Sequence, residues 1–267
     1  GAMKNAMQKD FWREIGHTRS RFFSIMVLVA LSVAFLSGLK ATAPDMKHTG
    51  DDYLDSLHLA DIQVLSTLGL TDEDIAALRA QDKIEDAEGE YVIDAFASSD
   101  SLDAVVKVLS LTDRGISDVL LREGRMPERA DECVVQTTAG RYTEKALHIG
   151  DVLEISRENT DYGALCGKVT ATKLTVVGIC ESPMSISVVA EPTAVGSGSI
   201  THMVYTPAAL FTGDTYTDLF LTLEGAAALD AFGDAYKALV AEFADRYTPF
   251  ATDRATARID GLKAQVQ

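Results

Sequence analysis

Phe22 to Leu39, FFSIMVLVALSVAFLSGL, carries no charged side chain and is bracketed by Arg19 and Arg21 on one side and Lys40 on the other. At 1.5 Å per helical residue it reaches ~27 Å, close to the hydrocarbon thickness of a bilayer. The pattern predicts one transmembrane helix over 22–40, with Phe22, Ile25, Leu28, Leu31, Phe35 and Leu39 among its membrane-spanning residues. The flanks set the orientation. Residues 1–21 hold Lys4, Lys9, Arg13, Arg19 and Arg21 against Asp10 and Glu14, whereas the chain as a whole has a net charge of −16. Basic residues beside a span stay on the cytoplasmic side, so the acidic bulk beyond Lys40 is expected outside a bacterial cell membrane.

Two rival readings fit an apolar run near a basic start. A secretory signal would place a small-residue cleavage site at Ala41 to Ala43, releasing a secreted or surface-tethered binding protein, but signal h-regions are shorter than this run. A buried helix of a soluble protein is the other. Gly1-Ala2-Met3 reads as a scar of tag removal. From Lys9 to Arg21, Phe11, Trp12 and Ile15 recur at helical spacing with Arg13 on another face, which suits a cytoplasmic amphipathic helix on the inner membrane surface. A topology anchor and nothing more is the alternative.

Beyond Lys40 the pattern alternates short strands and helices and predicts an α+β fold. Pro44 is expected to block simple continuation of the first helix, with Met46 to Ser56 able to resume it as a stalk. Asp61 to Ser66 reads as a strand, Thr71 with Asp74 as a capping box opening a helix, and Glu90 to Ala97 as a strand, together a β-α-β unit. Leu102 to Leu111 is strand-like, a helical turn near Ile116 leads to a strand at Cys133 to Val135, and a short helix closing near Gly150 precedes a strand over Val152 to Ile155. A hairpin is expected to pair Ala164 to Val169 with Leu174 to Ile179. HMVYT and YTDLFLTLEG read as strands joined by a helical turn at PAALF. Leu229, Phe232, Tyr236, Leu239 and Phe243 give one face of a helix that stops near Pro249, followed by a seam of Ile259, Leu262 and Val266.

No catalytic, phosphate-binding or dinucleotide motif is present, and the five histidines show no paired zinc spacing. His58 and Asp61 at helical spacing form at most a weak cation site. Three cysteines cannot all pair; Cys133 is expected to be a small buried hydrophobe, with a Cys166–Cys180 bridge left open. The acidic balance disfavours nucleic acid as a partner and favours cationic ones. The Glu181 to Ser199 segment has no clear period and reads as a loop or lid.

Taken in order, FWREIGHTRSRFFSIMVLVALSVAFLSGLKATAPDM, ADIQVLSTLGLTDEDIAALR, LREGRMPERADECVV, LHIGDVLEI, LTVVGICESPMSIS and MVYTPAALF resemble the FtsX-like permeases of ABC transporters with a MacB-like extracytoplasmic core domain. The resemblance implies mixed sheets in a two-part outer domain over 41–252, between a first and a second span, with 253–267 opening a stalk or coiled-coil helix. It also implies a portion of a longer dimeric permease, without a cofactor or catalysis of its own, driven by a separate cytoplasmic ATPase subunit. Phe11, Trp12, Arg13 and Ile15 would touch that ATPase. Ser182, Pro183, Met184, Gly196 and Gly198 are the candidates for contacting a peptide or lipid cargo, while an extracellular hydrolase is the reading that would require catalysis.

Overall fold

The computed structural model describes residues 19–100, 102–137, 146–185 and 191–266. The chain divides into two compact units, Gly1–Asp51 and Asp52–Gln267. In the first, helix α1 (Arg19–Ser56) begins; its Ile25, Leu28, Leu31, Phe35 and Leu39 side chains are all more than half exposed. One stretch of this helix is long and apolar enough to cross a membrane. The expected break at Pro44 does not occur, because proline removes only its own N–H from the ladder and the bonds on either side persist. Among the described side chains, Thr42 donates to the Gly38 carbonyl at 2.8 Å and Thr49 to that of Asp45 at 2.9 Å.

In the second unit the described strands form two sheets. The smaller is antiparallel, with β10 (Tyr216–Leu223) between β1 (Ile62–Leu70) and β2 (Ile84–Glu90). Helix α2 (Asp72–Arg79) opens with the expected capping box: Thr71 Oγ1 accepts from the Asp74 amide, and the Asp74 carboxylate accepts from the Thr71 amide at 2.9 Å. The anticipated β-α-β unit is not formed. β1 and β2 both lie beside β10, and the Glu90 to Ala97 segment splits into the end of β2 and the start of β3 (Val92–Ser98) in the other sheet. The acid-rich β2, IEDAEGE, shows no apolar alternation, yet its Ile84 and Ala87 are buried.

The larger sheet comprises β3, β4 (Asp103–Ser110), β5 (Leu120–Gly124), β6 (Glu132–Thr137), β7 (Val152–Ile155), β8 (Lys173–Glu181) and β9 (His202–Thr206) in the order β5-β8-β6-β9-β4-β3-β7. Because β7 also pairs with β8, strands β8, β6, β9, β4, β3 and β7 close into a small barrel. Alternate residues of every one of these strands fill its interior, among them Ala95, Val106, Val135, Leu153, Val176 and Val204. A second cluster, with Val105, Val134, Cys180 and Tyr205, covers the outer face of β4, β6, β8 and β9. Strand period alone thus places apolar residues on both faces.

Several local expectations give way to packing. Ala164 to Val169 is no hairpin strand, since Tyr162–Gly167 forms helix α3. Its Tyr162 and Leu165 pack on the barrel core. Cys133, Cys166 and Cys180 are all free, so no Cys166–Cys180 bridge forms. His58 takes a left-handed φ of 47°, and Asp61 accepts from Tyr236 Oη and the Leu223 amide at 2.7 Å, so that pair is not a cation site. The short helix expected before Gly150 falls partly outside the described residues, and 146–148 are not helical.

Helix α4 (Asp234–Val266) runs through Pro249. Beyond that proline, Phe250 packs on the small-sheet core and Arg254 Nε donates to Asp74 Oδ1 at 2.8 Å, contacts that hold the next turns helical. Burial would raise the Asp74 carboxyl, but the hydrogen bonds from Thr71 and Arg254 bring it below the usual carboxylate range. Leu229 and Phe232 precede the helix, while Tyr236, Leu239 and Phe243 pack from it onto the same core.

The GRMPERADEC block owes its shape to one clamp. Arg125 grips Glu132 with two N–H groups at 2.8 and 2.7 Å, and Glu132 also accepts from the Glu128 amide. The Arg125 hydrogen bonds, first among several donors, hold the Glu132 carboxyl down at about 2. Across the β5–β8 pair Gly124 (φ 80°) meets Gly178, where a Cβ on Gly178 would come 2.6 Å from the Arg125 carbonyl oxygen. Only glycine allows that approach.

Candidate functional site

The seam between the small sheet and the barrel holds a cavity of about 490 Å³. β2 ends at Glu90 and β3 begins at Val92, so Tyr91 alone carries the chain from one sheet to the other. Asp218 on β10 is the cross-strand partner of Glu90, which brings two carboxyl groups together on one face of the small sheet. Like charges in directly opposed positions destabilise a sheet unless something neutralises them. Both are buried, at 5 % and 7 % exposure.

Their surroundings differ. Asp218 Oδ2 accepts from Gln63 Nε2 at 2.7 Å. Glu88, two residues before Glu90, accepts from the Asp113 and Arg114 amides. Glu90 receives no hydrogen bond from any described residue, although its side chain lines the cavity. Burial pushes its carboxyl well above the usual range, and the Asp218 charge adds to this while the Lys107 ammonium opposes it. Burial raises Asp218 as well, against the Gln63 hydrogen bond and Lys107.

Lys107, from the barrel strand β4, projects into the same cavity and is committed elsewhere. Its ammonium is bonded to Glu191 and lies 3.9 Å from Asp94 Oδ1, and Thr193 Oγ1 donates to Asp94 Oδ2 at 2.7 Å. Four acids thus share one lysine. The rest of the lining is largely apolar, including Leu109, Met203 and Phe220. Among the described residues no three His, Cys, Asp or Glu side chains are placed to hold a metal ion.

Of the residues singled out in the Glu181 to Ser199 loop, Ser182 and Met184 line this cavity. Ser182 Oγ accepts from the Met184 amide and is hydrogen-bonded to Tyr205, whose hydroxyl burial pushes up. Pro183 opens a 3₁₀ turn, Pro183–Ser185, and is buried. Gly196 (φ 55°) lies against Val105 and lines a second cavity with Asp94, Phe96 and Asn159. Gly198 (φ 82°) turns the chain and donates its N–H to the Val195 carbonyl. Phe11, Trp12, Arg13 and Ile15 lie outside the described residues.

The sequence reading missed Glu90, Asp94, Lys107, Glu191 and Asp218. Two of them left a signal: Lys107 interrupts the apolar AVVKVL of β4, and Asp218 shares a strand face with Phe220. A charge on a buried strand face needs a partner.

No family model matches the chain, and no curated protein matches it. Among solved structures it is similar to the extracellular domain of the noncanonic ABC-type transporter YknZ from Gram-positive bacteria. That similarity has 14 % identity over 68 % of this chain and 86 % of that one, with a TM-score of 0.37. It is also similar to the periplasmic region of MacB from Actinobacillus actinomycetemcomitans, at 10 % identity over 67 % and 76 % of the two chains and a TM-score of 0.36. The two neighbours are an extracellular domain and a periplasmic region, and superpositions this loose transfer no residue's role.

Proposed function

We propose that the chain is the first transmembrane helix and extracytoplasmic domain of an ABC transporter permease. In this reading it passes ATP-driven movement from a cytoplasmic partner subunit to the outside of the membrane, for export or mechanotransmission, and does no bond chemistry itself. One observation supports this above all: α1 holds a stretch long and apolar enough to cross a membrane, with its large apolar side chains exposed. The ordered sequence resemblance to FtsX-like permeases agrees with this. A second permease copy would complete the pore-side dimer, and residues 9–21 would meet the ATPase at the inner surface.

The test is made in the complete transporter, with its ATPase subunit and a second permease copy in nanodiscs. Deleting residues 3–21 is expected to leave assembly of the outer domain intact and to abolish the response of ATPase activity to changes there. ATPase activity that still responds to the outer domain would overturn the role of the cytoplasmic helix. Protease protection in intact cells that places residues beyond Lys40 in the cytosol would overturn the whole reading.

A further inference from the structure

We propose that the seam cavity binds a primary alkylammonium group, held between the Glu90 and Asp218 carboxylates with its aliphatic stem along Leu109, Met203 and Phe220. The starting observation is Glu90 itself. A carboxylate shielded from bulk water with no donor is expensive, so the empty site favours a proton on Glu90, which an incoming cation would displace to solvent. This fold satisfies Glu88 with two backbone N–H groups and Asp218 with Gln63, then leaves Glu90 facing the cavity without one. A donor from outside the described residues is what the position lacks.

The same cavity shows which kind of donor fits. The Lys107 ammonium already sits between Asp94 and Glu191, contributed by different segments of the chain. Glu90 and Asp218 form a second pair of acids from different strands; among the described residues neither makes an ion pair, and Lys107 acts on both only from a distance. An ammonium presents three donors in a tetrahedral fan and can reach two carboxylates at once, as that of Lys107 does with Asp94 and Glu191. A divalent metal ion would need more oxygen ligands than this cluster places together. A volume of about 490 Å³ accommodates a lysine side chain or a linear amine with its first water shell. Two sources share this chemistry, the lysine of a peptide and a free polyamine. The site lies wholly within the outer unit, so it stands or falls separately from any ATPase partner.

The experiment titrates the full chain in nanodiscs by calorimetry at about pH 7.5 with three probes: Nα-acetyl-lysine methylamide, spermidine, and Nα-acetyl-norleucine methylamide as the uncharged isostere. At least one amine is expected to bind saturably at one site per chain, with the norleucine amide about tenfold or more weaker, since a charge-assisted hydrogen bond is worth more than a neutral one. Glu90→Gln and Asp218→Asn, each near-isosteric, are expected to weaken amine binding by about tenfold or more while their thermal midpoints show a folded protein. Tighter binding of the lysine amide points to a peptide, and tighter binding of spermidine to a polyamine; either supports the site. Amine affinity unchanged in both variants, equal binding of the norleucine amide, or no saturable binding up to about 20 mM overturns it.

Discussion

Replacing Glu90 by Gln tests the seam directly through stability. In the folded chain burial and the neighbouring Asp218 hold the Glu90 carboxyl above its ordinary value, so over a window beginning near 4.5 the native state keeps a proton that the unfolded chain has released. The charged groups acting on it are Asp218 from β10, Lys107 from β4 and Glu88 on its own strand. Stability from this group is therefore full below the unfolded value and is lost as pH rises through the folded one. One proton of difference gives a slope of at most ~1.4 kcal/mol per pH unit, downward with rising pH. Glutamine has no proton to release, so the stability of Glu90→Gln minus that of the parent should rise with pH across the window and level off above it. The assay is urea unfolding of the full chain in mild detergent, followed by circular dichroism at intervals from about pH 4.5 to 8. A difference that does not change with pH, or a variant less stable than the parent at about pH 8, would refute the reasoning, because either result means that a charged Glu90 is satisfied in the fold.

His202 should act in the opposite sense. Burial holds its imidazole down at about 4, and among the described residues its Nε2 has no partner, so the parent should lose stability as pH falls from 6.5 towards 4 and His202→Gln should not. Matched urea titrations read it. Gly89→Ala places a Cβ 2.4 Å from the Tyr216 ring, which lies tilted against Tyr91 with the ring centroids 4.6 Å apart; the variant should be destabilised by about 1–3 kcal/mol, read as a lowered thermal midpoint. Tyr247→Phe removes the hydrogen bond to the Asp82 carbonyl at 2.7 Å and should cost about 1 kcal/mol in the same melt. The intact mass of the chain made in a secreting host should retain residues 1–43; their loss would favour a cleaved signal and a released binding protein.

Features whose cause is local were open to reading from the sequence. The apolar run of α1 needs only length and the absence of charge. The Thr71–Asp74 capping box needs four consecutive residues, and β4, β9 and β10 announce themselves by runs of Val, Leu, Tyr and Phe. The resemblance of ordered blocks supplied the proposed function, while composition supplied only the charge.

Where a residue's fate depends on what meets it from far along the chain, only the tertiary structure decided. β2 looks too acidic for a strand until the backbone amides of Asp113 and Arg114 are seen to hold Glu88, and Pro249 looks like a helix stop until Phe250 and Arg254 find their partners. Tyr162 to Gly167 becomes helix because the barrel offers a place for Tyr162 and Leu165, against a strand pattern that local propensity alone would allow. The meeting of Glu90 with Asp218 is of the same kind. Hydrogen-bond register between β2 and β10 creates it, and register is a property of paired strands that neither strand carries by itself.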